Sequence, residues 1–305
     1  MEFNDCHVHI RIDPVLFRDK STLQDYLNER SKNNVCSIVF LHPLVKKLYA
    51  CDGRQGHLYS ARDLRERRIE YVCKGCGNVS FLGDYDPFRV ANEKLIRECE
   101  GVEGVQPYIY LSLTNNTINE EFLYFENNYK GKFFGIKLHP NLADRKLSEI
   151  NFNSNYPLIV HTGVEDVCNA EDVVKFAKKY SGNILFAHSA AFNKEALIEI
   201  GKLKNAYIDI SPTYLLDSLA EGSRGGKSFV NDINDSGDVT TILKNLIDIV
   251  GVDKILFGSD YPWGDVEKVE ALYDSLKLPE NIKNKIFYEN YIKFNKIREN
   301  YAENE

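Results

Sequence analysis

The sequence predicts an α/β fold, a closed (β/α)8 TIM barrel with a cysteine-containing insertion after its second strand. Three observations predict it. Apolar runs rich in Ile, Val, Leu and Phe, the pattern of buried parallel strands, alternate with helix-like segments eight times. The 305 residues suit one large α/β domain built from eight such units. Four runs also end in a histidine or aspartate of metal-ligand type, and a fifth ends in a lysine–histidine pair. These are Asp5-Cys6-His7-Val8-His9, the run closing at His161, the run closing at His188, Ile255-Leu256-Phe257-Gly258-Ser259-Asp260, and Gly135-Ile136-Lys137-Leu138-His139. Polar residues at the last positions of several strands are how a barrel assembles a site on one rim. A doubly wound sheet is the rival fold, but no Gly-x-Gly-x-x-Gly follows an early strand.

Each element has its own justification. Residues 5–10 form the first strand, and 21–33 a helix with Ser21 or Thr22 as N-cap. Residues 35–41 are the second strand, ending at His42-Pro43. A helix at 86–99 precedes the third strand at 105–113, and a helix at 119–129 precedes the fourth at 133–139. The fifth strand, 157–161, leads to a helix at 170–180, and the sixth, 184–188, to a helix at 193–203. The seventh strand is 206–210, followed by an irregular loop, a helix at 238–250 and the eighth strand at 254–258. Helices at 265–276 and 279–297 complete a single barrel domain spanning 1–305.

Two intervals break the rhythm. Residues 44–85 far exceed the usual βα loop of about 2–6 residues and read as an inserted subdomain. Residues 211–237, rich in Gly, Ser, Asp and Asn, follow the seventh strand and hang over the same rim. They are either a substrate loop or a surface insertion.

Composition narrows the partners. A net charge of −7 disfavours a nucleic-acid partner. No apolar run approaches the ~20 residues of a membrane span. Met1-Glu2-Phe3-Asn4-Asp5 lacks the basic and apolar regions of a secretory leader. Seven scattered cysteines, an odd number, fit a reducing compartment rather than a disulfide framework. The expectation is a cytoplasmic protein acting on a small molecule; a homo-oligomer is compatible with the sequence.

In a strand, residues two apart share a face, so His7 and His9 both aim into the barrel, as do Lys137 and His139. Two imidazoles at that spacing can hold one divalent ion. Any one histidine is readily explained as a satisfied core or rim residue. Five of the seven histidines (His7, His9, His139, His161, His188) standing together at strand ends are not.

With His-x-His on the first strand, Gly-Ile-Lys-Leu-His-Pro on the fourth, single histidines on the fifth and sixth, and Ser-Asp-Tyr-Pro on the eighth, the chain resembles the amidohydrolase superfamily. More narrowly it resembles the amidohydrolase-related branch (amidohydrolase 2), which includes metal-dependent hydrolases, hydratases and non-oxidative decarboxylases. The resemblance runs from residue 5 to about 295. It implies that His7, His9, His161 and Asp260 hold one catalytic divalent metal, zinc by preference with manganese or iron as alternatives. It implies that His188 is a general acid/base or transition-state stabiliser. Such an ion brings bound water to a pKa of about 7, and Asp260 can accept that water's proton and pass it to the leaving group.

Lys137 divides two versions of the site. Carboxylated, it would bridge two ions, with His161 and His188 on the second; as an ammonium, the version favoured here, it would bind a substrate anion beside a single ion. His139 is a substrate contact or a hydrogen-bonded rim residue. Arg11 either grips a carboxylate bidentately or forms a surface salt bridge. One departure is notable: His188-Ser189-Ala190-Ala191 stands where related chains carry glycines after the histidine.

In the insertion, Cys73-Lys74-Gly75-Cys76-Gly77 resembles one knuckle of a zinc ribbon, and Cys51 and His57 could complete a four-ligand structural zinc. A redox pair or unpartnered thiols are the alternatives. Cys6, alternating with His7, is expected to face away from the metal into the barrel–helix layer.

The leading function is a metal-dependent hydrolase cleaving an amide, lactone or ester bond of a small polar substrate. The alternative keeps the site and changes the reaction to non-oxidative decarboxylation or hydration of a small carboxylic acid. A non-catalytic metal-dependent binding protein is a third reading, disfavoured because a binder needs no proton shuttle.

Overall fold

The fold is a computed structural model in which residues 2–10, 22–41, 59–62, 69–73, 79–82, 87–113, 118–140, 146–163, 166–211, 239–262, 264 and 268–296 are described. Its strands are β1 (Phe3–Ile10), β2 (Asn34–Leu41), β3 (Tyr59–Arg62), β4 (Ile69–Cys73), β5 (Val79–Leu82), β6 (Val105–Tyr110), β7 (Gly135–Leu138), β8 (Leu158–Val160), β9 (Ile184–Phe186), β10 (Ala206–Ile210) and β11 (Ile255–Phe257). Eight of them pair in the order β1-β2-β6-β7-β8-β9-β10-β11, every pairing parallel. Closure comes at the seam between the two ends of the chain. Val8 bridges Tyr261, the His9 amide donates to the Tyr261 carbonyl at 2.8 Å, and the Asp260 amide donates to the His7 carbonyl at 2.9 Å. The (β/α)8 barrel is therefore as expected, and its seam is sewn by residues of the predicted site.

Helices follow the strands: α1 (Leu23–Glu29), α2 (Pro87–Cys99), α3 (Ile118–Tyr129), α4 (Ala170–Ala177), α5 (Lys194–Lys202), α6 (Val239–Val250) and α7 (Lys268–Ser275). Thr22 caps α1 with a reciprocal capping box to Asp25, and Asn169 and Asn193 cap α4 and α5, so each start satisfies an otherwise orphaned amide. The predicted C-terminal helix at 279–297 is broken into α8 (Glu280–Asn284), a π-helical turn (Lys285–Glu289) and α9 (Asn290–Phe294).

The core has two layers. Val39, Ile109, Val160, Phe186 and Phe257 pack outward against Leu95, Phe125, Phe176, Leu197 and Leu243 of the helices. Alternate positions, Ile38, Phe40, Tyr108, Ile159, Leu185 and Leu256, fill the barrel interior, joined by Tyr291 and Phe294 of α9. The Tyr291 hydroxyl lies 2.7 Å from Gln106 Oε1, and the Tyr108 hydroxyl donates to Asn295 Oδ1 at 2.5 Å. The Phe294 carbonyl accepts from Asn183 at 2.8 Å. The last helix thus plugs the barrel end opposite the rim.

Cys6 corrects an expectation. It belongs to the interior cluster, not the barrel–helix layer. The register shows why: Asp5 pairs Ser37 and Val8 pairs Val39, three steps on β1 against two on β2. The extra residue is a β-bulge, and it slips the in–out alternation by one. Cys6 and His7 consequently both face the interior.

After β2, the strands β3, β4 and β5 form a separate antiparallel sheet. Cys73 ends β4; Cys51, His57, Cys76 and Arg11 lie outside the described residues, as does the loop from 212 to 237. Among the described residues no helix is long and apolar enough to cross a membrane.

Candidate metal centre

The bulge and the seam bring three predicted ligands together. His7 Nε2 lies 3.1 Å from His9 Nε2, and each lies 3.4 Å from Asp260 Oδ1. All three residues are buried. Ligands bound to a tetrahedral ion at ~2.0–2.1 Å sit about 3.3–3.4 Å apart, so the three donor atoms already have the spacing of one coordination face. Asp260 Oδ1 is buried with no hydrogen-bond partner among the described residues, a costly state for a carboxylate oxygen. A divalent ion at this point would satisfy it. The donor set of two imidazoles and one carboxylate therefore fits a divalent metal.

The close approach of strands here depends on Gly258. A Cβ at that position would stand 2.7 Å from the His7 Cβ and 3.2 Å from Cys6 Sγ. Only glycine lets the chain leaving β11 pass the bulge of β1 at this distance.

Asp209 orients the centre, and the sequence reading did not single it out. Its Oδ2 lies 2.6 Å from His7 Nδ1, and its Oδ1 accepts the His188 amide at 2.6 Å. A carboxylate only accepts, so His7 donates from Nδ1 and its Nε2 lone pair is left facing His9 and Asp260. The available signal was a charged residue between Ile208 and Ile210 in an otherwise apolar strand. His7, His188 and Asp209 also form a potential ligand group. An ion there would have to displace the short His7–Asp209 hydrogen bond, which favours the His7–His9–Asp260 group. Asp5, likewise overlooked, accepts from the His7 amide at 3.1 Å and the Ser259 amide at 2.8 Å, tying the bulge to the Asp260 loop.

The remaining predicted residues surround this face without all joining it. His161 Nδ1 lies 3.1 Å from His188 Nε2, and the His161 ring stacks on His139 with centroids 4.3 Å apart. Lys137 Nζ is 3.5 Å from His7 Nε2 and 4.5 Å above the Phe40 ring. Tyr110 stacks on His139, and Phe40 meets His9 edge-on.

Burial sets the charge states. It pushes His7 down to about 4, helped by the Lys137 charge and opposed by Asp209. Burial, then the Lys137 charge, pushes His161 down to about 3. His188 is also driven well below the usual histidine range by burial and by neighbouring His161. Neutral imidazole is the ligating form. Burial lowers Lys137 to about 8 against the pull of Asp209 and Asp260, raises Asp5 to about 6, and raises Asp260 well above the carboxylate range, with Asp209 adding to the effect.

His188 opens a segment of unusual backbone. Residues 188 to 192 all have positive φ, from 50° to 58°. This left-handed turn aims the His188 ring back toward His7, with centroids 5.0 Å apart.

A parallel barrel whose rim gathers two imidazoles and a carboxylate at metal-ligand spacing is the frame in which the chain's relatives are to be read. The chain belongs to the amidohydrolase family: the model described as Amidohydrolase matches residues 130–294. Comparison with curated proteins finds no match. Among solved structures, the chain is similar to 2,6-dihydroxybenzoate decarboxylase from Rhizobium, with 13% identity, a TM-score of 0.57, and 96% of this chain and 98% of that one covered. It is similar to a dihydroxybenzoic acid decarboxylase from Polaromonas with bound manganese and the inhibitor 2-nitroresorcinol, with 11% identity, a TM-score of 0.57 and 96% of each chain covered. A probable 2-pyrone-4,6-dicarboxylic acid hydrolase from Acinetobacter baumannii is similar at 11% identity and a TM-score of 0.54, with 96% of this chain and 99% of that one covered. At these identities the likeness establishes the fold.

Proposed function

We propose that this protein is a metal-dependent enzyme that hydrolyses an amide, lactone or ester bond of a small, carboxylate-bearing substrate. The observation that carries the reading is the convergence of His7 Nε2, His9 Nε2 and Asp260 Oδ1 at 3.1–3.4 Å in a buried barrel mouth. His7, His9 and Asp260 would hold one divalent ion, zinc or manganese, with His161 completing the set by a side-chain movement. Such an ion polarises a carbonyl and makes water a competent nucleophile near neutral pH. Asp260 turns Oδ1 toward the imidazoles, which leaves its second oxygen to take the water proton and return it to the leaving group as the C–O or C–N bond breaks. His188, held at its amide by Asp209, donates a hydrogen bond to the oxygen that gains charge. Lys137 supplies a buried cation for the substrate carboxylate, and Tyr110, His139 and Phe40 provide flat apolar faces for a planar substrate.

Non-oxidative decarboxylation is the second reading, favoured by the decarboxylases among the similar structures, two of which are described above. In that reaction the C–C bond to the carboxylate breaks, carbon dioxide leaves, and a proton from an acidic residue takes its place on carbon. The deciding experiment incubates zinc- and manganese-loaded protein with 2-pyrone-4,6-dicarboxylate and with 2,6-dihydroxybenzoate. Loss of the pyrone absorbance supports hydrolysis, and carbon dioxide release from the benzoate supports decarboxylation. A protein that binds no divalent metal would overturn both.

A further inference from the structure

The rim holds one more buried polar group that neither the metal face nor its supports use. Ser211 follows β10 directly and is 1% exposed, yet its Oγ has no hydrogen-bond partner among the described residues. In the alternation of β10, Tyr207 packs against the interior cluster and the Asp209 side chain meets His7. Ser211 takes the next position on that barrel-facing side, one layer nearer the mouth. Its neighbours in the sheet are β9 and β11, whose ends carry His188 and Asp260 on either side. A hydroxyl buried without a partner is unfavourable in the free protein by the full desolvation of the group, and nearly every such group in folded proteins is paired.

We propose that Ser211 is a substrate-binding residue whose hydroxyl donates a hydrogen bond to a carboxylate or carbonyl oxygen of the bound acid. The proposal rests on the site assigned above and specifies which group holds the substrate between His188 and Asp260. A serine hydroxyl can donate and accept, and an oxygen atom of an acid is the ligand that an unpartnered hydroxyl donor on this rim would take.

The test uses metal-loaded full-length protein, wild type, Ser211→Ala and Ser211→Thr, with 2,6-dihydroxybenzoate and 2-pyrone-4,6-dicarboxylate as probes. Two quantities are read: the melting temperature without probe, and the probe Kd by calorimetry. Ser211→Ala is expected to melt at or above the wild-type temperature while weakening one probe by roughly ten- to a hundred-fold, the value of a hydrogen bond to a charged group. Ser211→Thr, which keeps a hydroxyl, is expected to restore most of the affinity. A lower melting temperature for Ser211→Ala would mean the hydroxyl has a structural partner, and would overturn the proposal. Unchanged affinity in Ser211→Ala, or a wild-type protein that binds neither probe, would overturn it too. Because binding is read rather than turnover, a wild type that binds a probe without converting it rejects the assigned reaction and leaves the Ser211 assignment standing.

Discussion

Asp209 shows how a single carboxylate fixes the tautomer of His7, the imidazole proposed above as a metal ligand. One oxygen holds the His7 Nδ1 proton and the other holds the His188 amide, so it sets both the tautomer of one residue and the position of another. In Asp209→Asn the amide oxygen can still accept from the His188 backbone, but the amide nitrogen then faces His7 Nδ1 and pushes its proton to Nε2. Metal affinity is expected to fall about 10- to 100-fold, the usual cost of losing such a partner, with the circular dichroism spectrum unchanged. A competition titration against a chromophoric chelator measures this directly; wild-type affinity in the variant would sink the role. Asp260→Asn is expected to abolish turnover of whichever substrate is accepted, because it removes a metal ligand and the proton acceptor together. Measurable turnover in that variant would reassign the proton transfer to another residue.

At the level of elements, the segment from His188 to Phe192 concentrates strain beside the site. Each of its five residues has positive φ and none is glycine, and the left-handed region costs an L-residue roughly 1–2 kcal/mol. Ala191, with φ 50° and ψ 27° and partly exposed, is the best place to relieve it. Ala191→Gly removes that penalty against an extra unfolded-state entropy of about 0.5–1 kcal/mol. It is expected to raise the denaturation midpoint slightly, whereas Ala191→Val, β-branched, is expected to lower it. The opposite order in urea titrations would show the turn to be unstrained. The same scale explains what the sequence could and could not disclose. His7, His9 and Asp260 were legible because each ends an apolar run, where a polar side chain has no packing reason to be. Cys6 was misplaced because a bulge is a property of the pairing between β1 and β2, and no residue in Asp5-Cys6-His7 announces it. Asp209 was missed: a charged residue inside an apolar strand is only an anomaly, and its two partners come from β1 and from the turn after β9, which only the closed barrel brings within reach.

At the scale of the whole molecule, the proposed metal centre would couple metal binding to barrel closure. His7 and His9 stand near the start of the chain and Asp260 follows its last barrel strand, so an ion bound by all three clasps the same seam that Val8 and Tyr261 bridge. At the opposite end, Asn290 donates to the carbonyls of Val252 at 2.7 Å and Ile255 at 2.9 Å, anchoring α9 under β11. The two clasps predict different signatures. Asn290→Ala leaves two carbonyls without their donor and is expected to cost roughly 2–3 kcal/mol with or without metal. Chelation acts only through the upper clasp: metal at a hundredfold excess over its Kd stabilises the folded state by about 2.7 kcal/mol. A protein of this size gains roughly 2 °C or more per kcal/mol, so adding a chelator to the wild type should lower Tm by about 5 °C. In Asp260→Asn the same addition should have little effect, because the ion no longer joins the two ends. Differential scanning calorimetry of wild type, Asn290→Ala and Asp260→Asn, each with and without chelator, separates these terms. If Asp260→Asn lost as much Tm on chelation as the wild type, the ion would bind away from the seam, and the His7–His9–Asp260 face would not be the metal centre.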